Sequence, residues 1–253
     1  GLCRFRLWCK AFQKITVLEI LYQDEYLVAI NKPHGLLVHR SPIAKDATEF
    51  ALQKLRDQLD QLVFPVHRLD RKTSGVLLFA LDPETLKLLS QKFEAGEIIK
   101  SYLAILRGYT EDSGTIDYPL TNDAGKLQEA VTHYKTLDKS EINFPFGKHE
   151  TSRYSLVEAK PETGRYHQLR KHFAHILHPI IADRAHGCNK QNRFFKATWD
   201  MCTMLLHAEN LTFQHPINPS KVSINAGVSN EFLRMANLMG FDHSSFSMTT
   251  LPS

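Results

Sequence analysis

The sequence predicts an α+β fold, a mainly antiparallel mixed sheet with flanking helices, and three observations point there. Short apolar runs of strand character outnumber segments of helical period. Helices do not regularly separate those runs, which disfavours a doubly wound parallel sheet. A chain of 253 residues, 43% apolar and 23% charged, has the composition of a globular domain able to bury a sizeable core.

The elements follow in chain order. Residues 18–32, LEILYQDEYLVAINK, read as a short strand, a polar turn at 23–25 and a second strand over 26–31, with a loop at Lys32-Pro33-His34-Gly35. Residues 48–62 place Ala51, Leu52, Leu55, Leu59 and Leu62 at helical spacing. Residues 76–81, VLLFAL, form a short unbroken apolar run after a Ser-Gly turn signal, which reads as a buried strand. Asp82-Pro83-Glu84 is a helix start: Asp caps, Pro fits the first turn and Glu favours the positive dipole end. That helix is expected to run to about Ala95 and stop at Gly96, followed by a strand over 100–108. Residues 112–126 are polar and turn-rich, and 130–136, 152–160 and 208–214 read as strands. A helix is expected over 166–177, opened by Glu162-Thr163-Gly164-Arg165, and a last one over 230–238, closed by Gly240.

No apolar run approaches the ~20 residues that span a bilayer, so no membrane segment is expected. Residues 1–16, GLCRFRLWCKAFQKIT, lack the apolar core and cleavage site of a signal peptide. Cys3, Cys9, Cys188 and Cys202 form no CxxC pair and are too sparse for a disulfide framework, which points to a reducing, cytoplasmic compartment. Net charge is only +4, but residues 165–186 hold four cationic side chains, five histidines and one acid, Asp183. Such a block suits phosphates; charge alone fits a solvated helix face equally well.

There is no GxGxxG after a strand, no Walker lysine loop and no GxSxG elbow. His172, His175 and His178 are spaced by three, yet Pro179 ends the helix before His178, so zinc on one face is not expected. What remains is a carboxylate. Asp70 lies among Arg68, Arg71 and Lys72 on the loop entering the apolar strand, where functional side chains tend to sit. A surface pair with a neighbouring arginine is the ordinary fate of such a cluster. A second cationic block, RYHQLR (165–170), offers a guanidinium that would keep a partly buried aspartate ionised and able to act as nucleophile or base. Tyr102 is one ring available for stacking on a nucleobase.

HRLDRKTSGVLLFA (67–80) resembles the aspartate motif of the RluA-like family of pseudouridine synthases. NKPHGLLVH (31–39) is similar to that family's first motif and KSYLAILRG (100–108) to its tyrosine strand. TGRYHQLRKHFAHILHPIIAD (163–183) is similar to its arginine motif, and LHAENLTFQHP (206–216) to its late strand. The five occur in family order across residues 18–227, while the 139–148 loop, and Ala182 and His186 against the usual GDxxYG, depart from the pattern. The resemblance implies a pseudouridine synthase fold with its cleft in the middle of the sheet, formed by one catalytic domain over 18–253. Residues 1–17 are then an extension without counterpart, and no accessory RNA-binding domain is expected. It implies Asp70 as the catalytic aspartate, Arg170 as its ion-pair partner and Tyr102 packed against the target base, taking part in proton handling. Arg68 would fill the space a flipped base vacates, and Lys32, Arg165 and His167 would contact backbone phosphates. The resemblance further implies a reaction without cofactor or metal. The blocks look most like those of members acting on tRNA, with the T-stem uridine at position 65 as target and the protein as a cytoplasmic monomer. Three rivals stand beside this: the same chemistry on ribosomal RNA, an RNA-binding module without catalysis, and a glycosidase, which would want a second carboxylate.

Overall fold

The structure, a computed structural model, describes residues 17–39, 49–201, 203–242 and 246. Most of the expected extension, Cys3, Cys9, Cys202 and the first residue of the expected 48–62 helix lie outside the described residues.

The first half lays down one end of a sheet. Strands β1 (Ile20–Gln23) and β2 (Leu27–Lys32) form a hairpin whose turn is held by Asp24, which accepts from the backbone N–H groups of Tyr26 and Leu27. Helix α1 (Ala51–Leu59), the two-residue β3 (Phe64–Pro65) and β4 (Ser74–Ala80) follow. Helix α2 (Pro83–Glu94) begins as the sequence predicts, with the Asp82 side chain accepting from Thr85 N. β5 (Ile99–Arg107) is the long central strand. Then come β6 (Ser113–Asp117), the small β7–β8 pair (Leu120–Thr121, Leu127–Gln128), β9 (Val131–Ile142) and β10 (Ser152–Pro161). The chain ends with α3 (Gln168–His175), α4 (Asn189–Trp199), β11 (Leu206–Gln214), β12 (Lys221–Asn225) and α5 (Asn230–Leu238).

The main sheet runs β1-β2-β4-β11-β5-β10-β9-β6, with β12 added to β11 and β3 to β4. Its pairings are antiparallel except β4 with β11, which is parallel. Both faces are covered. From β2 and β4, Val28, Ile30, Leu77 and Phe79 pack with Leu55 of α1, while Leu27, Ala29, Leu78 and Ala80 pack with Leu89 of α2. In the same way Ile105 and Leu156 meet α4 and α5 on one face, and Ala104 and Val157 meet Leu169 and Phe173 of α3 on the other. Two-sided burial explains why β4 reads as an unbroken apolar run.

Several expectations are corrected. The 166–177 helix starts at Gln168 because His167 takes a left-handed φ of 56°, and it ends at His175, with Leu177 left-handed at 65°. The 130–136 strand extends to Ile142, and the polar 112–126 stretch contains β6. Helix α4 and strand β12 were not expected. Among the described residues no helix is long and apolar enough to cross a membrane.

Candidate active site

Asp70 is presented by the turn between β3 and β4. The turn closes on itself through Thr73 N to Asp70 O at 3.0 Å, and the buried Leu69 anchors it. A second loop braces it: Gly35 N donates to Arg71 O at 2.6 Å, and Arg71 Nε donates to Gly35 O at 3.1 Å. Lys32, expected at a phosphate, is fully buried inside this brace. Its ammonium donates to the carbonyls of Pro33, Leu36 and Arg71, so it knits the two loops together and reaches no solvent-side partner. Burial pushes its pKa down to about 7, against the attraction of Asp70. Just after the turn, Gly75 sits at φ 111°, and a Cβ there would lie 2.1 Å from Ala208 O. Only glycine lets β4 approach β11 this closely, which sets the Asp70 turn against the centre of the sheet.

The Asp70 carboxylate meets Arg170 from α3, 100 residues away: Nη1 donates to Oδ2 at 2.9 Å. The rest of that guanidinium is taken by Asp183, with Nε to Oδ2 at 2.8 Å and Nη2 to Oδ1 at 2.7 Å. Asp183 also accepts from the N–H groups of Ala185 and His186. Burial raises the Asp183 pKa, but the hydrogen bonds and charge of Arg170 outweigh it and hold the group below the usual carboxylate value. Burial likewise works against the Arg170 cation, and Asp183 and Asp70 together more than offset it. The guanidinium is therefore fixed in a planar fork that aims one N–H at Asp70.

Tyr102, on β5 opposite Ala208 of β11, borders the same cleft. Burial first, then the charge of Asp70, push its phenol well above the ordinary range, so it stays protonated at neutral pH. The cleft has a volume of about 280 Å³, and its lining includes Arg68, Asp70, Lys100, Tyr102, Arg165, Tyr166 and Arg170. Arg68 is exposed, its guanidinium 5.6 Å from the centre of the Tyr166 ring. Arg165 donates from Nε to Glu129 O at 2.9 Å, and its N–H is accepted by Gln168 Oε1. Gln168 also donates to Val131 O, which staples the 163–168 loop to β9. His167 faces Asp70 with Nε2 3.6 Å from Oδ2, too long for a hydrogen bond. Of the sequence-derived residues, six meet in this cleft and Lys32 stands behind it.

Sequence reasoning passed over Asp183, Gln168, Tyr166 and His186. Asp183 had a signal, being the one acid in a cationic block. The histidines singled out for metal are engaged otherwise: His172 bonds Thr132 Oγ1 and Tyr118 O, His175 stacks on Tyr118, and His178 bonds Arg107 O. Among the described residues no group of three or more His, Cys, Asp or Glu is placed to hold a metal ion.

Among the described residues Asp70 is the only carboxylate in the cleft lining, which does not fit the paired carboxylates of a glycosidase. A single carboxylate, tethered to a fixed cation beside a phenol, is equipped to attack or to accept a proton on one planar base-sized group. Residues 26–175, which contain Asp70, Tyr102 and Arg170, match the RNA pseudouridylate synthase family. The chain belongs to the RNA pseudouridylate synthase family. Curated relatives agree over nearly the whole chain. The tRNA pseudouridine synthase C of Pasteurella multocida (strain Pm70) is 48% identical over 239 residues, covering 90% of this chain and 98% of the relative. The tRNA pseudouridine synthase C of Haemophilus influenzae (strain ATCC 51907 / DSM 11121 / KW20 / Rd) is 44% identical, covering 90% and 100%. The fold is shared with solved structures of Human RNA Pseudouridylate Synthase Domain Containing 1 and Containing 4. The first has a TM-score of 0.67 at 23% identity, covering 94% of this chain and 91% of that one. The second also has a TM-score of 0.67, at 25% identity, covering 87% and 92%. As a pseudouridylate synthase the chain is an isomerase, with the mixed sheet and flanking helices of that family.

Proposed function

We propose that the protein isomerises a uridine of tRNA to pseudouridine in the cytoplasm, as a monomer, with Asp70 as the catalytic residue. The observation that carries this is the Asp70 carboxylate in the cleft, hydrogen-bonded to an Arg170 that Asp183 holds in place. The tRNA assignment is supported by the names of the relatives, both tRNA pseudouridine synthase C. The target we propose is the T-stem uridine at position 65.

The reaction breaks the N1–C1′ bond and forms C5–C1′, while the C5 proton is given up and N1 gains one. No electrons are exchanged with another molecule. The target must leave the stack, at a cost of a few kcal/mol, and be held while its base turns over. The narrow cleft suits this, because a detached base must not diffuse away. In this reading Asp70 attacks the nucleoside or abstracts a proton from it. Tyr102 packs on the base and handles a proton, and Arg68, at the mouth, fills the vacated stack position. Arg165 flanks the pocket toward the backbone, while His167 stands beside Asp70. Tyr166, exposed and paired with Arg68, adds a ring on which a neighbouring base can stack.

Mapping pseudouridines after the protein reacts with total unmodified RNA tests this reading. One new pseudouridine, in the T stem of tRNA, is expected. Modification confined to ribosomal RNA would favour the ribosomal reading, and binding without modification would favour a non-catalytic module.

A further inference from the structure

The turn over residues 183–187 reaches the cleft at two points. Its first residue, Asp183, grips Arg170. Its fourth, His186, grips His167: His186 Nε2 lies 2.9 Å from His167 Nδ1, with the rings crossed at 80°. The far nitrogen of His167, Nε2, stands 3.6 Å from Asp70 Oδ2, the same oxygen that accepts from Arg170. The turn is tightly built. His186 N donates to Asp183 Oδ1, and a Cβ at Gly187 would lie 2.3 Å from Asp183 O. His167 is itself held in the left-handed region, at φ 56°, with its ring stacked on Tyr166 at 3.8 Å. That backbone state costs a non-glycine residue roughly 1–2 kcal/mol, and such strain gathers at functional sites.

Between two neutral imidazole nitrogens at hydrogen-bond distance lies one proton. If His167 supplied it from Nδ1, the Nε2 lone pair would face the Asp70 carboxylate, which is repulsive. If His186 supplies it, the His167 proton stays on Nε2 and its N–H dipole faces the carboxylate. The charged groups around the pair are Asp70, Asp183, Arg170 and Lys171, two of each sign. Burial is the largest influence on both rings and lowers both pKa values, that of His167 to about 4, so the single-proton argument holds at neutral pH.

We propose that His186 is a positioning residue which, by donating to His167 Nδ1, fixes the His167 tautomer whose Nε2–H is directed at Asp70. One turn then sets both neighbours of the carboxylate, Arg170 through Asp183 and His167 through His186. The proposal rests on the reading of Asp70 as the reacting group, and it concerns the position where this chain has His in place of the tyrosine of GDxxYG.

The test is nitrogen-15 NMR of histidine-labelled full-length protein at pH 7, with the His167 signals assigned by their loss in His167→Asn. Wild type is expected to show His167 protonated at Nε2 and bare at Nδ1. His186→Phe, which has no donor, should lose that single tautomer, and His186→Gln, which keeps one, should retain it. Turnover should follow: outer partners that fix the tautomer of a metal-ligating histidine are worth roughly ten- to a hundredfold, and the lower end of that range is taken for His167. The kcat of His186→Phe should therefore fall at least about tenfold with KM nearly unchanged, and His186→Gln should recover most of it. Nδ1 protonation of His167 in wild type overturns the proposal, as does unchanged kcat in His186→Phe. If His186→Phe does not fold, the wild-type tautomer and the His186→Gln turnover decide alone. A wild-type protein that modifies no uridine would instead defeat the Asp70 reading, and the tautomer spectrum distinguishes the two failures.

Discussion

Arg170 is the residue whose replacement separates two kinds of cost. It donates to Asp70 and, in a bidentate fork, to the nearly fully buried Asp183. Arg170→Ala should reduce turnover by more than about a hundredfold, since Asp70 loses its fixed cation. It should also lower stability by about 3 kcal/mol, because Asp183 is left buried without its partner. Turnover assays and urea unfolding measure the two; near-normal turnover would remove the ion pair from the mechanism. The link from Asp70 to Arg170 was legible only through the resemblance, because a hydrogen bond across 100 residues leaves no trace in local spacing. Asp183 was visible as a lone acid, yet nothing in the sequence distinguishes a buried fork from a surface pair. Lys32 shows the opposite limit. Lysine reads as a solvent-facing cation, and only the three-dimensional brace reveals that its ammonium is shared among three carbonyls.

Helices α2 and α5 were legible through capping chemistry, and α1, which has no side-chain cap, through its apolar period. Asp82 and Pro83 announce α2, and Ser229 caps α5 by accepting from Phe232 N. Helix α4 follows Cys188, which gives no side-chain cap, and has no acid in its first turn, so no start signal exists. β12 buries two side chains, Val222 and Ile224, too few to separate a strand from a loop by alternation. The turn before α4 carries a usable irregularity. Ala182 stands at φ 64°, where GDxxYG places glycine. Relief of left-handed strain, roughly 1–2 kcal/mol, should exceed the added chain entropy of glycine, roughly 0.5–1 kcal/mol. Ala182→Gly should therefore raise Tm by about 1–4 °C, at roughly 2–4 °C per kcal/mol for a chain this size. Calorimetry checks it, and a lower Tm would mean that the Ala182 methyl contributes packing worth more than the strain.

At the scale of the whole molecule the fold was legible in kind, because antiparallel strands leave local alternation and turns. The parallel pairing of β4 with β11 was not, since it depends on a close approach at Gly75 that only the assembled sheet displays. The sheet is also bound to pH through two imidazoles. Burial pushes His67 and His207 down to about 4 from an ordinary 6.5. His67 Nε2 accepts from Leu78 N, while His207 bridges Ser74 Oγ and Ala226 O. Both fold as neutral rings, so the unfolded chain binds the extra protons. Stability is fully present above pH 6.5 and falls as pH drops toward 4, by on the order of 1 kcal/mol per pH unit for each ring. Urea midpoints between pH 7 and 4.5 should decline accordingly, and a flat profile would contradict it. The central claim, that a tethered Asp70 performs the isomerisation, is tested most directly by Asp70→Asn on tRNA carrying tritium at uridine C5, which is released as the base rejoins through that carbon. The variant is expected to release no tritium while binding tRNA within about tenfold of wild type, since phosphate contacts dominate affinity. Sustained release by purified Asp70→Asn would contradict the account.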